Sequence, residues 1–535
     1  LRAESPNTVN ISQQIKKLVT GVVVDAAGLP LIGVNVSVKG TTEGTITDLD
    51  GKFSLNASSQ SILIVSYIGY KTVEVPVDGN LKIVLKEDSQ ALDEVVVVGY
   101  GVARKSDLTG AVGQMGDKEV QKRQVINPVD ALSGKIAGVV INNNSGRPGG
   151  SISINIRGFN SINASNEPLF VVDGVVGADI AMINPNEIES MNVLKDASST
   201  AIYGARGAGG VVIVTTKKGS FNSGTSVSYN FNLGISKSQK KLDLLNSNEF
   251  MQVLNQSFAN DGFEKVDWHR VSPELFDQNG TPIYDTDWQD EMMRTAFSNR
   301  HYVTVSNGTE RSKTTVSAGY QNENGILINS WFKRFSGKLT NTFKVNSRVE
   351  LNTSLAYNNA KESRYDDYGV GGMTATRTMI ECFPLLPVRY ANGRYSKFAD
   401  FKYPSTLTEA GNPVYNERGE KMVDYNNLGA FWGYADNPVQ QAFDFQRKLT
   451  TDQVLGNAEL SVKIIDGLVF RANGAVEAKW SRENRYTGVD LVEFSSGGAN
   501  AYIGNTNHVY WQSENFLTYD KKWGDHKLNA MVGAS

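Results

Sequence analysis

Cysteine is almost absent from this sequence of 535 residues: Cys382 stands alone, so no intrachain disulfide can form. The four histidines are scattered without the spacing of a metal site. The sequence shows neither the Ser-His-Asp order of a catalytic triad nor a carboxylate pair that would indicate catalysis. No run of about 18 apolar residues occurs, which excludes a membrane-spanning helix. We therefore expect no enzyme, no metal centre and no cofactor.

The chain also lacks a large excess of charge of one sign, since it has 53 basic and 56 acidic residues and a net charge of −3. The chain therefore has no bulk positive field of the kind that binds nucleic acid. The mean hydropathy of −0.30 is compatible with membrane-spanning strands, in which apolar and polar residues alternate. Partners must be inferred from motifs.

The most distinctive run is DEVVVVGYG, residues 93–101, which follows the polar run KEDSQ. Its consecutive valines favour an extended strand. Such a strand is either added to the sheet edge of a partner protein or buried as an ordinary strand of this chain. The residues concerned are Asp93, Glu94, Val95, Val96, Val97, Val98, Gly99 and Tyr100.

Residues 18–86 predict a small β-sandwich. The β-prone runs are LVTGVVVD, GVNVSVKG, TITDLDGKFSL, SILIVSYIGYKTVEV and LKIVL, and turn residues separate them. Asp48, Asp50 and Gly51 resemble the start of a calcium loop, but the remaining ligands do not follow at the required positions. We therefore expect a hairpin turn there.

Residues 108–219 mix short strands with helices expected at residues 128–135 and 186–190. The glycine-rich run GARGAGG lacks the Lys-Ser/Thr ending of a phosphate-binding loop and leads into the strand VVIVTT. We expect tight turns there.

From residue 220 onward, long segments alternate between apolar and polar residues. The connections between them alternate between long and short, as in outer-membrane barrels with short periplasmic turns and long outer loops. A plug-sized lumen needs about 22 strands, so the remaining strands are expected beyond Ser535 and the chain looks like an N-terminal fragment. Nine strands are predicted, at residues 225–236, 301–308, 313–322, 335–344, 349–358, 449–464, 468–480, 507–521 and 527–535.

Aromatic residues near the strand ends suit the girdles found at membrane interfaces, although packing explains any single one equally well. They are Tyr302, Trp331, Phe332, Trp480, Tyr510, Trp511 and Trp523.

In order along the chain, the runs IRGF, VLKD, AIYG and GGVVIV resemble the plug domain of TonB-dependent outer-membrane transporters. With DEVVVVGYG and KSDLTGAV, the chain resembles the SusC-like nutrient importers of Bacteroidetes. The resemblance divides the chain into a carboxypeptidase-regulatory-like domain (residues 18–86), a linker with a TonB-box-like segment (87–107), a plug (108–219) and the first part of the barrel (220–535). It marks as plug-motif residues Arg157, Gly158, Tyr203, Gly204 and Gly210.

We expect Arg157 to be a buried plug charge paired with Glu187 or Glu189, because buried charges persist only when paired. A role as a substrate ligand is the weaker alternative. Arg157 is therefore predicted to stabilise the plug.

The resemblance implies active import of a nutrient across the outer membrane, with the N-terminal domain in the periplasm and the barrel in outer-membrane lipid. TonB, energised by ExbB and ExbD, would pull on residues 93–101 and remodel the plug. A SusD-like surface lipoprotein would cover the barrel, with two such pairs assembled together. The substrate would be an oligosaccharide or a peptide.

The long loop of residues 359–448 is rich in tyrosine, phenylalanine and asparagine. Its candidate substrate contacts are Tyr365, Tyr368, Tyr390 and Tyr395, which either stack on sugar rings or only pack the loop or contact the lid. Alternatives for the whole protein are a siderophore or cobalamin importer and a surface adhesion protein. The N-terminal sandwich and the VVVVGYG form favour the nutrient importers.

Overall fold

A computed structural model describes residues 16–25, 28–41, 43–58, 61–67, 70, 72–77, 80–85, 95–98, 101–104, 112–122, 125–143, 146–158, 161–162, 165–364, 374–430, 437–489, 491, 499–524 and 526–535. The chain forms two compact units, residues 1–96 with 103–109 and residues 97–102 with 110–535. Among the described helices, none is long and apolar enough to cross a membrane.

The first unit is a β-sandwich of two sheets, as predicted. One sheet has the strand order β4-β1-β7 and the other β3-β2-β5-β6. Their facing residues share one apolar core that includes Val23, Val36, Phe53 and Val65. The strands are β1 (Lys16–Val24), β2 (Asn35–Val38), β3 (Gly44–Ile46), β4 (Lys52–Ser58), β5 (Ile62–Ser66), β6 (Val73–Pro76) and β7 (Asn80–Val84).

The turn at Asp48 exists, but it is not a hairpin within one sheet. Asp48 Oδ1 accepts hydrogen bonds from the backbone N–H groups of Asp50 (3.0 Å) and Lys52 (2.8 Å). The turn joins β3 of one sheet to β4 of the other. After this turn, β4 contributes Phe53 to the core between the sheets.

Two short strands, β8 (Val95–Val98) and β9 (Gly101–Arg104), form a two-stranded sheet. The plug follows, and its central sheet has the order β10-β15-β16-β13-β14. Its elements are β10 (Val112–Gly116), α1 (Asp117–Lys122), α2 (Pro128–Ala131), β11 (Val139–Asn143), β12 (Ile152–Ile156), β13 (Leu169–Val172), β14 (Val175–Val176), β15 (Ile188–Leu194), α3 (Ala197–Thr200) and β16 (Val211–Thr216).

The helix predicted at residues 128–135 is present as α2 followed by turns, and Asn127 caps its N-terminus. The helix predicted at residues 186–190 is wrong. A single 3-10 turn, Pro185–Glu187, leads there directly into β15. A strand forms because Ile188, Met191 and Val193 are fully buried between the plug's helices and sheet.

All nine predicted long strands form one antiparallel sheet in chain order, confirming the alternation argument. Their elements, with those of the intervening loops, are β17 (Ser226–Ser236), α4 (Ser247–Asn260), α5 (Trp268–Val271), α6 (Trp288–Met292), β18 (Ala296–Gly308), β19 (Ser312–Asn324), β20 (Trp331–Lys344), β21 (Val349–Ser363), α7 (Ala375–Glu381), β22 (Lys402–Thr406), β23 (Thr408–Glu409), β24 (Asn412–Pro413), β25 (Val423–Ala430), α8 (Pro438–Asp444), β26 (Phe445–Ile465), β27 (Leu468–Thr487), β28 (Asn500–Trp523) and β29 (His526–Ala534). The nine strands of the sheet, β17–β21 and β26–β29, are called the wall below.

The two faces of the wall differ in chemistry. One face is apolar and exposed, as on β17, where alternate side chains from Val227 to Ile235 are 51–69% exposed. The other face packs against the plug and buries polar side chains. Trp480, Trp511 and Trp523 lie on the exposed side, as expected of a girdle.

Tyr302 and Phe332 do not belong to such a girdle, because both are buried towards the plug. Phe332 packs against Met182 of the plug, and Tyr302 lines a small polar cavity together with Glu187. Their positions in the alternation place them on the inner face of the wall.

The described residues of the two longest loops, which run from 237 to 295 and from 364 to 444, fold together into one compact structure that we call the loop body. Its core includes the fully buried side chains of Phe276, Met292, Leu385 and Phe401. Asn329, in the connection between β19 and β20, donates a 2.7 Å hydrogen bond from Nδ2 to Ala442 O. The loops at this end of the wall are therefore packed against one another.

We expect Phe53→Ala to destabilise the sandwich by about 3–5 kcal/mol, because it leaves a cavity in the buried core between the two sheets. Ile46→Ala is the matched control, since Ile46 is 67% exposed. Chemical denaturation of residues 1–96 measures both changes. Equal effects of the two substitutions would contradict the assignment of the core.

Candidate functional site: the plug and wall interface

A buried lysine on the wall holds the plug. Lys338 lies on the inner face of β20, and its Nζ contacts Asp173 Oδ2 at 2.8 Å and Thr216 Oγ1 at 2.6 Å. The side chains of Lys338 and Asp173 are 6% and 7% exposed. We call Lys338, Asp173 and Thr216 the lysine clamp.

Contacts within the plug itself hold the Asp173 carboxylate of the clamp. Asp173 lies in the turn between β13 and β14 with φ 48°, a left-handed conformation. Its Oδ1 accepts a 2.9 Å hydrogen bond from Thr216 N, and its Oδ2 accepts a 2.6 Å hydrogen bond from Thr216 Oγ1. Because β13 and β16 are paired in the same sheet, the carboxylate is fixed in position.

Burial alone would raise the pKa of Asp173, but the ammonium of Lys338, with that of Lys218, outweighs it and lowers the pKa to about 2. Glu187, also in the plug, behaves in the opposite way. Burial raises the pKa of Glu187, although Lys338 and Arg334 act against the increase. Asp173 is therefore the carboxylate that neutralises Lys338.

The same face of β20 contacts the plug at the two preceding inward positions. Arg334 is 1% exposed and donates from Nη1 to Ala181 O (3.0 Å) and Ile183 O (3.1 Å). Ser336 Oγ accepts a 3.0 Å hydrogen bond from Asn184 Nδ2. Alternate residues of one strand thus bind the plug over three positions.

Two strands farther along the wall also contact the plug. On β28, Gln512 donates to Gly174 O at 2.6 Å and accepts from Val176 N at 2.9 Å. On β27, Lys479 lies 2.9 Å from Asp179. Only a few apolar side chains of the wall, among them Ala356, Leu455 and Ala475, join the plug core.

A cavity of about 890 Å³ lies between the plug and the end of the wall that carries the long loops. Ion pairs line it. Arg147 of the plug lies 2.8 Å from Glu362 on β21, with both side chains 8% exposed, and Arg364 contacts the same carboxylate. Arg300 and Glu323 form a second pair at 2.5 Å. Charged and apolar side chains both line the cavity, and the plug forms its floor.

The expected pairing of Arg157 is wrong. Arg157 is 48% exposed, and its guanidinium contacts Asp196 and donates to Lys195 O at 3.2 Å. Glu187 and Glu189 are not among its partners. Arg157 has a φ of 58° and turns away from the plug core, so it reaches the carboxylate that follows β15.

The other plug-motif residues shape turns and a core. Gly158 and Gly204 have positive φ angles of 101° and 59°. Gly210 has a φ of 93°, and a Cβ there would come within 2.8 Å of Ile156. Tyr203 is 5% exposed in a small apolar cluster with Val211 and its neighbours. The backbone conformation, close packing or burial of these residues is consistent with a structural role in the plug.

The predicted coupling segment is described only in part. Val95, Val96, Val97 and Val98 form β8 and are paired with β9. Outside the described residues lie Asp93, Glu94, Gly99 and Tyr100. The coupling role of the segment stays a prediction.

Of the four candidate substrate tyrosines, Tyr365 and Tyr368 lie outside the described residues. Tyr390 donates to Asp400 Oδ2 at 3.1 Å, and Arg394 stacks on its ring at 4.5 Å. Tyr395 has the guanidinium of Arg389 at 3.5 Å from its ring centre. Both tyrosines pack against the core of the loop body, as the packing alternative describes.

The sequence held a signal for the lysine clamp that the prediction did not use. Asp173 interrupts the apolar run PLFVVDGVV, and Lys338 occupies an inward position in the alternation of β20.

Among the described residues there is no group of three or more histidine, cysteine, aspartate or glutamate side chains that could hold a metal.

Residues 104–211 match the family model "TonB-dependent Receptor Plug Domain", and residues 19–97 match "CarboxypepD_reg-like domain". TonB-dependent receptor SusC of Bacteroides thetaiotaomicron is 36% identical over 98% of this chain and 50% of its own length. The chain belongs to the SusC-like TonB-dependent receptors.

A TonB-dependent receptor of Formosa agariphila is 32% identical to this SusC-like chain over 97% of the chain and 48% of the relative. The chain thus spans about half the length of the curated relatives it matches. The solved RagAB peptide importer in its open-open state has the same fold, with a TM-score of 0.65 at 24% identity over 82% of this chain and 48% of that one.

We expect Lys338→Met to loosen the plug by about 3–5 kcal/mol, because it removes the counter-charge that contacts the buried Asp173 carboxylate. Hydrogen exchange of β13 and β16 amides in the full-length protein measures the loss of protection. Lys333→Met is the matched control, since Lys333 is exposed on the other face of the same strand. Adding Asp173→Asn to Lys338→Met should restore part of the protection, and no recovery would contradict the pairing.

Protection of β13 and β16 should also depend on pH. A carboxylate with a lowered pKa stabilises the folded state above its unfolded value of 3.8, and this contribution is lost as the pH falls towards about 2. Glu187 has a raised pKa and acts in the opposite sense. The acid-induced loss should therefore disappear in Asp173→Asn and persist in Glu187→Gln.

Proposed function

We propose that the protein to which this chain belongs imports an oligosaccharide across the outer membrane, driven by TonB. The observation that carries the proposal is a plug seated on the inner face of a strand wall mainly by polar contacts, with a cavity partly lined by ion pairs on the side of the long loops. In this proposal the plug is the gate, and the cavity above it is the substrate-binding site.

The chemistry of the interface suits a gate that opens under force. When the lysine clamp and the Arg334 contacts separate, water can replace the hydrogen bonds that are lost. Separating a continuous apolar interface would instead expose a large apolar area to water, at a cost of about 25 cal/mol per Å². The buried charges keep the resting plug in place, because an unpaired buried charge is costly.

In the proposed cycle, substrate binds in the cavity above the plug, and residues 93–101 become available to TonB in the periplasm. TonB adds a strand to Val95–Val98 and pulls. The β8–β9 pairing would have to open or be extended at its edge for this to happen. A SusD-like surface lipoprotein would close the cavity from outside, with two such pairs assembled together.

The N-terminal sandwich and the VVVVGYG run favour a nutrient importer over a siderophore or cobalamin importer. Among nutrients, an oligosaccharide is the primary candidate because the resemblance to SusC-like importers implies it. A peptide is the second candidate. An adhesion protein would not need a plug domain, which residues 104–211 match.

We expect Val96→Pro in the full-length gene to abolish growth of the source bacterium on one class of glycan. Proline lacks the N–H that strand addition requires. Val96→Ile, which keeps the strand propensity, is the control. The panel consists of single glycans, peptides and iron chelates, and the amount of protein in the outer membrane is measured in parallel.

Loss of growth only on peptides would shift the proposal to peptide import, and loss only on iron chelates would favour a siderophore importer. Unchanged growth on every source, with the variant protein inserted, would contradict coupling through this segment.

A further inference from the structure

The loop body carries a groove of about 450 Å³ that the import cycle does not use. One side is the extended segment of Leu242, Leu244 and Leu245, whose side chains are 55%, 41% and 47% exposed. The other side is the end of α7 with Ile380, which is 38% exposed, and Phe383 beyond it. A volume of this size accommodates a few side chains of a ligand.

The groove is built rigidly. Gln289, 5% exposed, accepts from Leu242 N at 2.9 Å and donates to Leu242 O at 2.8 Å, which fixes the extended segment. Trp288 donates from its indole to Phe383 O at 2.9 Å and so holds the opposite side. The leucines are therefore presented to solvent by buried hydrogen bonds.

The charged side chains that line the groove are all acidic, and two of them have basic partners at its margin. Its lining contains four carboxylates and neither lysine nor arginine. Lys241 pairs with Asp287, and Arg377 pairs with Glu381, at the margin. Asp285 accepts a 2.8 Å hydrogen bond from Ser247 N. Asp243 is exposed and forms no ion pair within the described part of the chain. The four lining carboxylates are Asp243, Asp285, Asp287 and Glu381.

We propose that this groove binds a segment of a partner polypeptide in which large apolar side chains stand next to lysine or arginine. Exposed apolar side chains on a fixed frame are typical of binding anchors, and surrounding carboxylates select a basic neighbour. A negatively charged lipid surface or an acidic segment does not fit this lining. The groove lies within the loop body, and binding there does not depend on transport.

Short fluorescent peptides test the groove on the full-length protein in lipid nanodiscs, with fluorescence anisotropy as the readout. The first peptide alternates leucine and lysine, the second leucine and glutamate, and the third serine and lysine. The leucine-lysine peptide should bind most tightly, and high salt should weaken its binding.

Leu244→Ser and Asp243→Lys should each weaken binding of the leucine-lysine peptide about tenfold. Asp243→Lys should also improve binding of the leucine-glutamate peptide. The matched controls are Ile283→Ser and Glu409→Lys, two exposed positions of the loop body outside the groove, which should change binding less than about twofold.

The proposal is overturned if the three peptides bind alike, if the control substitutions weaken binding as much as the groove substitutions, or if the peptide does not bind. It is also overturned if Leu244→Ser instead abolishes self-association of the protein, since the occupant would then be a second copy. Because all four substituted side chains are exposed, the variants should fold, and heat-modifiable migration on gels checks this.

Discussion

Lys338 can be buried in the wall only because the plug brings a carboxylate to it. A lone ammonium at this depth would cost several kcal/mol, so the wall and the plug specify each other through this pair. The carboxylate is itself fixed by Thr216 at the end of a neighbouring plug strand. The position of the plug on β20, and hence the floor of the cavity, depends on this contact together with those of Arg334 and Ser336.

The two faces of the wall have different requirements. The exposed face carries alternate apolar side chains, as on β17, and the buried face carries polar groups that have to find partners. Gln512 forms hydrogen bonds with the plug backbone, and Lys479 forms an ion pair with Asp179. An interface that is polar in this way holds the plug in one register without a large apolar contact.

At the far end of the wall, the loop body forms a second centre of packing. Tyr390 and Tyr395 illustrate its effect, since a loop rich in aromatic residues could expose them or bury them. Both rings stack with arginines and lie against the apolar core, so these two tyrosines contribute to the folding of the loops. The leucines around Leu244 are the contrasting case, because buried hydrogen bonds hold them in an exposed position.

The sequence alone determined the nine wall strands and their order, because apolar and polar residues alternate within each strand and this signal is local. It also determined the β-sandwich, and its motifs identified the plug. Tertiary structure decided what the local signal could not contain. Residues 186–190 became a turn and a strand because Ile188 is buried between plug elements, and Arg157 paired with Asp196 because the chain turns left-handed at that residue. The partner of Lys338 lies 165 residues away, and only the packing of the plug against the wall brings the two charges together.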